Sequence, residues 1–123
     1  MDDFNQFPII SLDEGLARVG NRKPLFARLL GTFMTNPRDD ELLKAFESGD
    51  IEAAVMTLHT IKGVAANLSL TRLKKYAEAL EIMFKKARDE NDTGVFGRVA
   101  AEDAIRMIRE TVNEAAGIID TLK

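Results

Sequence analysis

His59-Thr60-Ile61-Lys62-Gly63 holds the only histidine of the chain, a lysine three residues on and a glycine four residues on. At helical spacing these positions share one side, so a cation and a bare stretch of backbone lie one turn from the imidazole. A neutral imidazole is nucleophilic near neutral pH and can take a phosphoryl group on one ring nitrogen while the other keeps its proton. The Lys62 ammonium, a point charge on a flexible stem, can screen a phosphoryl group that arrives and leaves. Gly63 leaves room for it. The chemistry these residues support is phosphoryl transfer through His59.

Rival chemistries find less support. One histidine without any cysteine cannot supply the usual three or four metal ligands. No strand-turn-helix elbow presents a strained serine, which disfavours a Ser-His-Asp hydrolase. No Gly-rich phosphate loop precedes a helix, so the chain is expected to carry phosphate without making phosphohistidine from ATP. Against all of these stands an idle surface histidine, the commonest fate of a lone one. The HxxKG spacing, the off-core angle derived below and uncharged neighbours raise a working histidine to equal standing with it.

The elements that must position His59 read as helices. The 123 residues fit one domain, and 46% hydrophobic content supports a core while 30% charge supports an ordinary wetted surface. A net charge of −3 offers no general basic face for nucleic acid or anionic membrane. No apolar run approaches the ~20 residues of a membrane span, and Met1-Asp2-Asp3-Phe4-Asn5 lacks the pattern of a signal peptide. The absence of cysteine fits a reducing compartment, and the cytoplasm is the expected location.

Residues 1–10 read as an extended arm and 11–123 as the helical domain. Ser11 and Glu14 form a capping-box pattern opening a short helix to about Val19. A second helix is expected from Arg22 to Thr35, with Pro24 in its first turn and Asn36-Pro37 as its stop. A third spans Arg38 to Ser48, with Gly49 as stop and Asp50 as cap for the next. The fourth, 51 to 67, repeats apolar residues at Ile51, Ala54, Leu58, Ile61, Ala65 and Leu68, the spacing of one buried face. The fifth uses Leu70, Leu73, Ala77, Leu80, Phe84 and Ala87, with Lys74-Lys75 and Lys85-Lys86 reading as a solvated side. The last, Val95 to Leu122, presents Ala101, Ile105, Ile108, Val112, Ala115, Ile119 and Leu122. No segment alternates with period two. The expected fold is all-α: an antiparallel four-helix bundle with one or two short additional N-terminal helices.

Winding the fourth helix at ~100° per residue places His59 roughly 130° from the centre of the apolar stripe, on the exposed side. Val55, Met56, Lys62, Gly63 and Ala66 are placed on that side too. An idle outer face normally carries charge, so small and apolar residues here predict a patch on which a partner lies flat, with Val55, Met56 and Ala66 as docking residues. Gly63 costs a helix interior up to about 1 kcal/mol relative to alanine, which points to a use for the missing side chain.

The run Leu58-His-Thr-Ile-Lys-Gly-Val-Ala-Ala-Asn-Leu68, followed by Leu73, Ala77 and Leu80-Glu81, resembles a histidine-containing phosphotransfer (HPt) domain. Gly15-Leu16, Arg18-Val19-Gly20 and Ala45-Phe46-Glu47-Ser48-Gly49-Asp50 are similar to that pattern as well, so the likeness covers about residues 11 to 90. The resemblance implies that His59 accepts a phosphoryl group from a receiver-domain aspartate, or gives one to it, within a multistep phosphorelay. It implies that Lys62 steadies the group and Gly63 leaves space for it and for the receiver. The implied partners are response-regulator receiver domains, a hybrid histidine kinase, or both, with no cofactor on this chain and magnesium expected on the receiver.

Some members of that family carry a glutamine on the following helix where this chain has Glu81. A carboxylate there can orient the imidazole N–H but repels phosphate. Two further readings stay open: the phosphoacceptor domain of a chemotaxis-type histidine kinase, and a helical adaptor that binds receivers without taking phosphate. The ends of the chain favour a free-standing protein.

Overall fold

The computed structural model describes residues 3–92, 94 and 101–122. Among them the chain forms a short 3-10 turn (Phe4–Gln6) and the helices α1 (Leu12–Arg18), α2 (Lys23–Thr35), α3 (Asp39–Ser48), α4 (Ile51–Asn67), α5 (Thr71–Asp89) and α6 (Ala101–Thr121). No strand occurs among the described residues. The start expected for the last helix, Val95 to Ala100, lies outside them.

Local signals set most boundaries. Gly49 closes α3 in the left-handed region at φ 69°, and Asp50 starts α4 at once by accepting the Ala53 N–H at 3.0 Å. Pro24 sits in the first turn of α2, and that helix ends at Thr35, just ahead of Asn36-Pro37.

α4 and α5 form an antiparallel hairpin through the turn at Leu68–Leu70. Its direction is visible in pairings that run oppositely along the two helices, Glu52 with Arg88 at 3.2 Å and His59 with Glu81 at 3.0 Å. α2 lies along α6, and α3 bridges α4 and α6. The core holds Phe26, Leu30 and Phe33 of α2, Leu42 of α3, Leu58 and Ile61 of α4, Leu73, Leu80 and Phe84 of α5, and Ile105 and Ile108 of α6. The result is a helical bundle with a short N-terminal helix, as the periodicity predicts.

The N-terminus departs from expectation in two ways. Ser11 precedes α1 but makes no side-chain cap. Its hydroxyl pairs instead with Thr71 Oγ1 at 2.6 Å and its N–H donates to Ser69 O at 2.9 Å, while Glu14 accepts from Ser69 Oγ at 3.2 Å. The capping-box pair therefore fastens α1 to the α4–α5 turn, a partly buried site where unpaired hydroxyls cost more than at an exposed helix end. The arm also carries its own turn rather than running fully extended. Phe4 meets Tyr76 edge-on at 5.2 Å between ring centroids, and Lys75 stands 5.5 Å from the centre of the Phe7 ring. Lys75 is thus engaged by the arm rather than merely solvated.

α1 rests on α2 through Gly15. A Cβ there would come within 2.5 Å of the Phe26 ring, so the close approach of the two helices requires glycine.

Candidate functional site

α4 is gripped by α5 along its length and by α3 on another side, so its buried arc is wide and its exposed seam narrow. The exposed residues are Glu52, Met56, His59, Gly63 and Asn67, spaced by three or four and therefore in one line. His59 lies mid-seam with its side chain 67% exposed. Met56 is 69% exposed, an unusual state for a large apolar residue. Ala66 is half-buried beside the seam.

Val55 is not on this surface. It is only 5% exposed and belongs to the core, because contact with two helices buries a residue that a single-stripe winding leaves outside. The docking role expected for Val55 is corrected accordingly; Met56 and Ala66 keep accessible positions.

Glu81 comes up from α5 beneath His59. Its side chain is 3% exposed, with Oε2 3.0 Å from His59 Nδ1 and Oε1 2.6 Å from Lys62 Nζ. Lys85 Nζ stands 3.7 Å from Oε2. Burial alone pushes the Glu81 carboxyl up, but hydrogen bonds from Lys62 and His59, with the charges of Lys62 and Lys85, outweigh it and hold the group below the ordinary glutamate range. An ionised carboxylate only accepts hydrogen bonds, so Nδ1 must carry the imidazole proton. In the neutral ring Nε2 then keeps its lone pair, and no hydrogen bond engages it among the described residues. A fixed ring with an available Nε2 lone pair can act chemically as a nucleophile.

Gly63 lies one turn from His59, and a Cβ built on it meets nothing within 4 Å. The fold therefore does not need glycine there. Among the described residues no group of three or more His, Asp or Glu side chains is placed to hold a metal ion, and no helix is long and apolar enough to cross a membrane.

The sequence pattern of the Hpt domain matches residues 29–117, from within α2 to within α6. The chain belongs to the Hpt domain family. Neither among curated proteins nor among solved structures does any match the chain. Hpt domains perform histidine phosphotransfer in phosphorelay signalling and act as phosphocarriers rather than kinases. The matched stretch contains His59, Lys62, Gly63 and Glu81, whereas α1 lies before it.

Within this Hpt domain two further residues lie at or beside the site, and neither carries a motif. Lys85, which the apolar register places on a solvated side, faces Glu81. Ile82, directly after Glu81, is 62% exposed. A signal for Ile82 was present: it is a large apolar residue off the register of Leu73, Ala77, Leu80, Phe84 and Ala87. The register likewise leaves Glu81 beside the buried Leu80, but only the packing of α5 on α4 shows that it is enclosed.

Proposed function

We propose that this chain is a phosphoryl carrier that accepts the group on His59 Nε2 from a receiver-domain aspartyl phosphate and passes it to a second receiver. The observation that carries this reading is the pairing of an exposed imidazole with a buried carboxylate at Nδ1. In the forward step the Nε2 lone pair attacks phosphorus, and the bond from phosphorus to the aspartyl oxygen breaks. The aspartate leaves as a carboxylate with that electron pair. The ring keeps its Nδ1 proton and becomes a phosphoimidazolium, whose positive charge faces Glu81. The same steps reversed deliver the group onward.

Glu81 thus favours the ring charge that develops during transfer, while its repulsion of the phosphoryl oxygens is offset by Lys62. Magnesium, where required, belongs to the receiver. Met56 and Ile82, both large, apolar and exposed, with the half-buried Ala66, offer the small apolar centre on which weak, exchangeable association rests. Gly63 gives the receiver clearance close to the helix backbone.

Incubation with phosphorylated receiver domains tests the reading. Acid-labile, base-stable phosphate is expected on the wild type and none on His59→Gln, at unchanged melting temperature. Label retained by His59→Gln overturns the assignment. Incorporation from labelled ATP and magnesium by the isolated chain contradicts a pure carrier.

A further inference from the structure

Lys85 lies one turn beyond Glu81 on α5, and its Nζ approaches Oε2, the oxygen that also receives the His59 N–H. At 3.7 Å the contact is longer than a hydrogen bond, and the side chain is 47% exposed. Lys62 differs: it is 30% exposed and closed onto Oε1 at 2.6 Å. The two lysines therefore serve one buried carboxylate, one bound and the other waiting.

Charge balance gives this arrangement a consequence. With a neutral imidazole, Glu81 and the two ammonium groups leave a single net positive charge. A phosphoimidazolium adds a positive ring and a doubly negative phosphoryl group, a single net negative charge, so the loaded site is neutral. Without Lys85 the loaded site carries one net negative charge, and Lys62 is the one ammonium that serves both the phosphoryl group and Glu81. A buried carboxylate that loses one of its charged hydrogen-bond donors is left under-satisfied, which is destabilising. The charged ring still faces Oε2, but when Lys62 turns fully to the phosphoryl group Glu81 loses the ammonium closed on Oε1, and Lys85 is placed to supply a second cation. Even an ammonium bridging both anions leaves a charge deficit that Lys85 fills.

We propose that Lys85 is a positioning residue that takes over Glu81 when Lys62 turns to the phosphoryl group, so that the carboxylate passes between two lysines as the group arrives and leaves. The proposal rests on the carrier reading of His59.

The test loads the full chain with zwitterionic phosphoramidate. Its P–N bond breaks, ammonia leaves and phosphorus bonds to Nε2, a step that needs no receiver. Phosphorus NMR follows the loaded fraction and its decay in wild type, Lys85→Met, Lys85→Arg and Lys86→Met. Lys85→Met is expected to lower the loaded fraction about threefold to tenfold, and Lys85→Arg to restore it to within about twofold, as for a partly exposed ionic contact. Lys86→Met, altering the exposed neighbour, is expected to match wild type, and all melting temperatures to agree. On loading, the Lys85 side-chain resonances are expected to shift while those of Lys86 stay in place. A Lys85→Met chain that loads and decays like wild type overturns the proposal and leaves the carrier reading standing. So does an arginine that fails to restore loading. A wild type that takes phosphate neither from phosphoramidate nor from a phosphorylated receiver, or takes it elsewhere than His59, overturns both.

Discussion

Glu81 Oε2 lies 3.0 Å from His59 Nδ1, linking an imidazole exposed over most of its surface to a carboxylate almost wholly enclosed. The contrast separates two tasks that one exposed pair could not combine. On the carrier reading proposed above, the imidazole has to reach a partner, which its place on the α4 seam allows. The group that sets its tautomer must not itself be solvated or displaced, so it comes from beneath, on α5.

Removing the charge of Glu81 while keeping its shape isolates that task. Glu81→Gln is expected to slow phosphotransfer about tenfold, equivalent to ~1.4 kcal/mol of lost stabilisation of the charged ring. The His59 tautomer ratio, read by nitrogen NMR, is expected to shift toward the Nε2–H form. Unchanged transfer and tautomer would show that the carboxylate charge is idle.

The same group links stability to acid. Its carboxyl is held below the ordinary glutamate value of 4.5 in the folded state, so the unfolded chain binds its proton first as pH falls. The stabilisation is present above that value and is lost as pH drops through the lower, folded one. Urea unfolding from neutral pH to about pH 3 is expected to show a component of acid destabilisation that Glu81→Gln lacks.

Two glycines are expected to respond oppositely. Gly15→Ala forces a methyl into the Phe26 ring and is expected to cost about 1–3 kcal/mol of stability. Gly63→Ala meets open space and is expected to stabilise α4 by up to about 1 kcal/mol. A larger residue, Gly63→Gln, is expected to impair receiver binding without lowering the melting temperature. Titration calorimetry and thermal melts on the same variants separate the two effects.

Charges introduced along α4 are expected to divide by burial. Val55→Glu puts a carboxylate into the core, so a loss of about 3 kcal/mol or more in denaturant unfolding is expected. Met56→Glu, on the exposed seam, is expected to leave stability intact and to weaken receiver association. A Met56→Glu chain that binds as wild type places the docking surface elsewhere.

Tyr76 provides an optical check on the N-terminal arm. Burial first, then the nearby Asp103, pushes its hydroxyl up to about 12, with Arg106 opposing. As the only tyrosine it reports alone at the ultraviolet phenolate band. The ionisation is expected near pH 12 in the folded chain and near pH 10 once unfolded, so its share of stability is full below pH 10 and is lost toward pH 12. Phe4→Ala, which opens the edge of the ring, is expected to lower the folded midpoint.

Period and punctuation in the sequence determined the helices from α1 to α5 to within a residue or two of their ends. An apolar repeat of three and four is the arc a helix can bury, and Gly49-Asp50 and Asn36-Pro37 act within a turn of where they stand. The exposed His59, its Lys62 and Gly63 neighbours and the family were legible for the same reason: they lie on one helix, where spacing is geometry. Tertiary structure decided what depends on a second helix. Val55 is buried because α4 is covered by both α3 and α5, which no single winding reveals. Ser11 and Glu14 are drawn from a local cap to the α4–α5 turn because the bundle brings that turn against α1. Glu81 and Lys85 join the site only when α5 folds back antiparallel on α4. The residues of a helix carry their own register, but which residue of the next helix lies beneath them is set by packing.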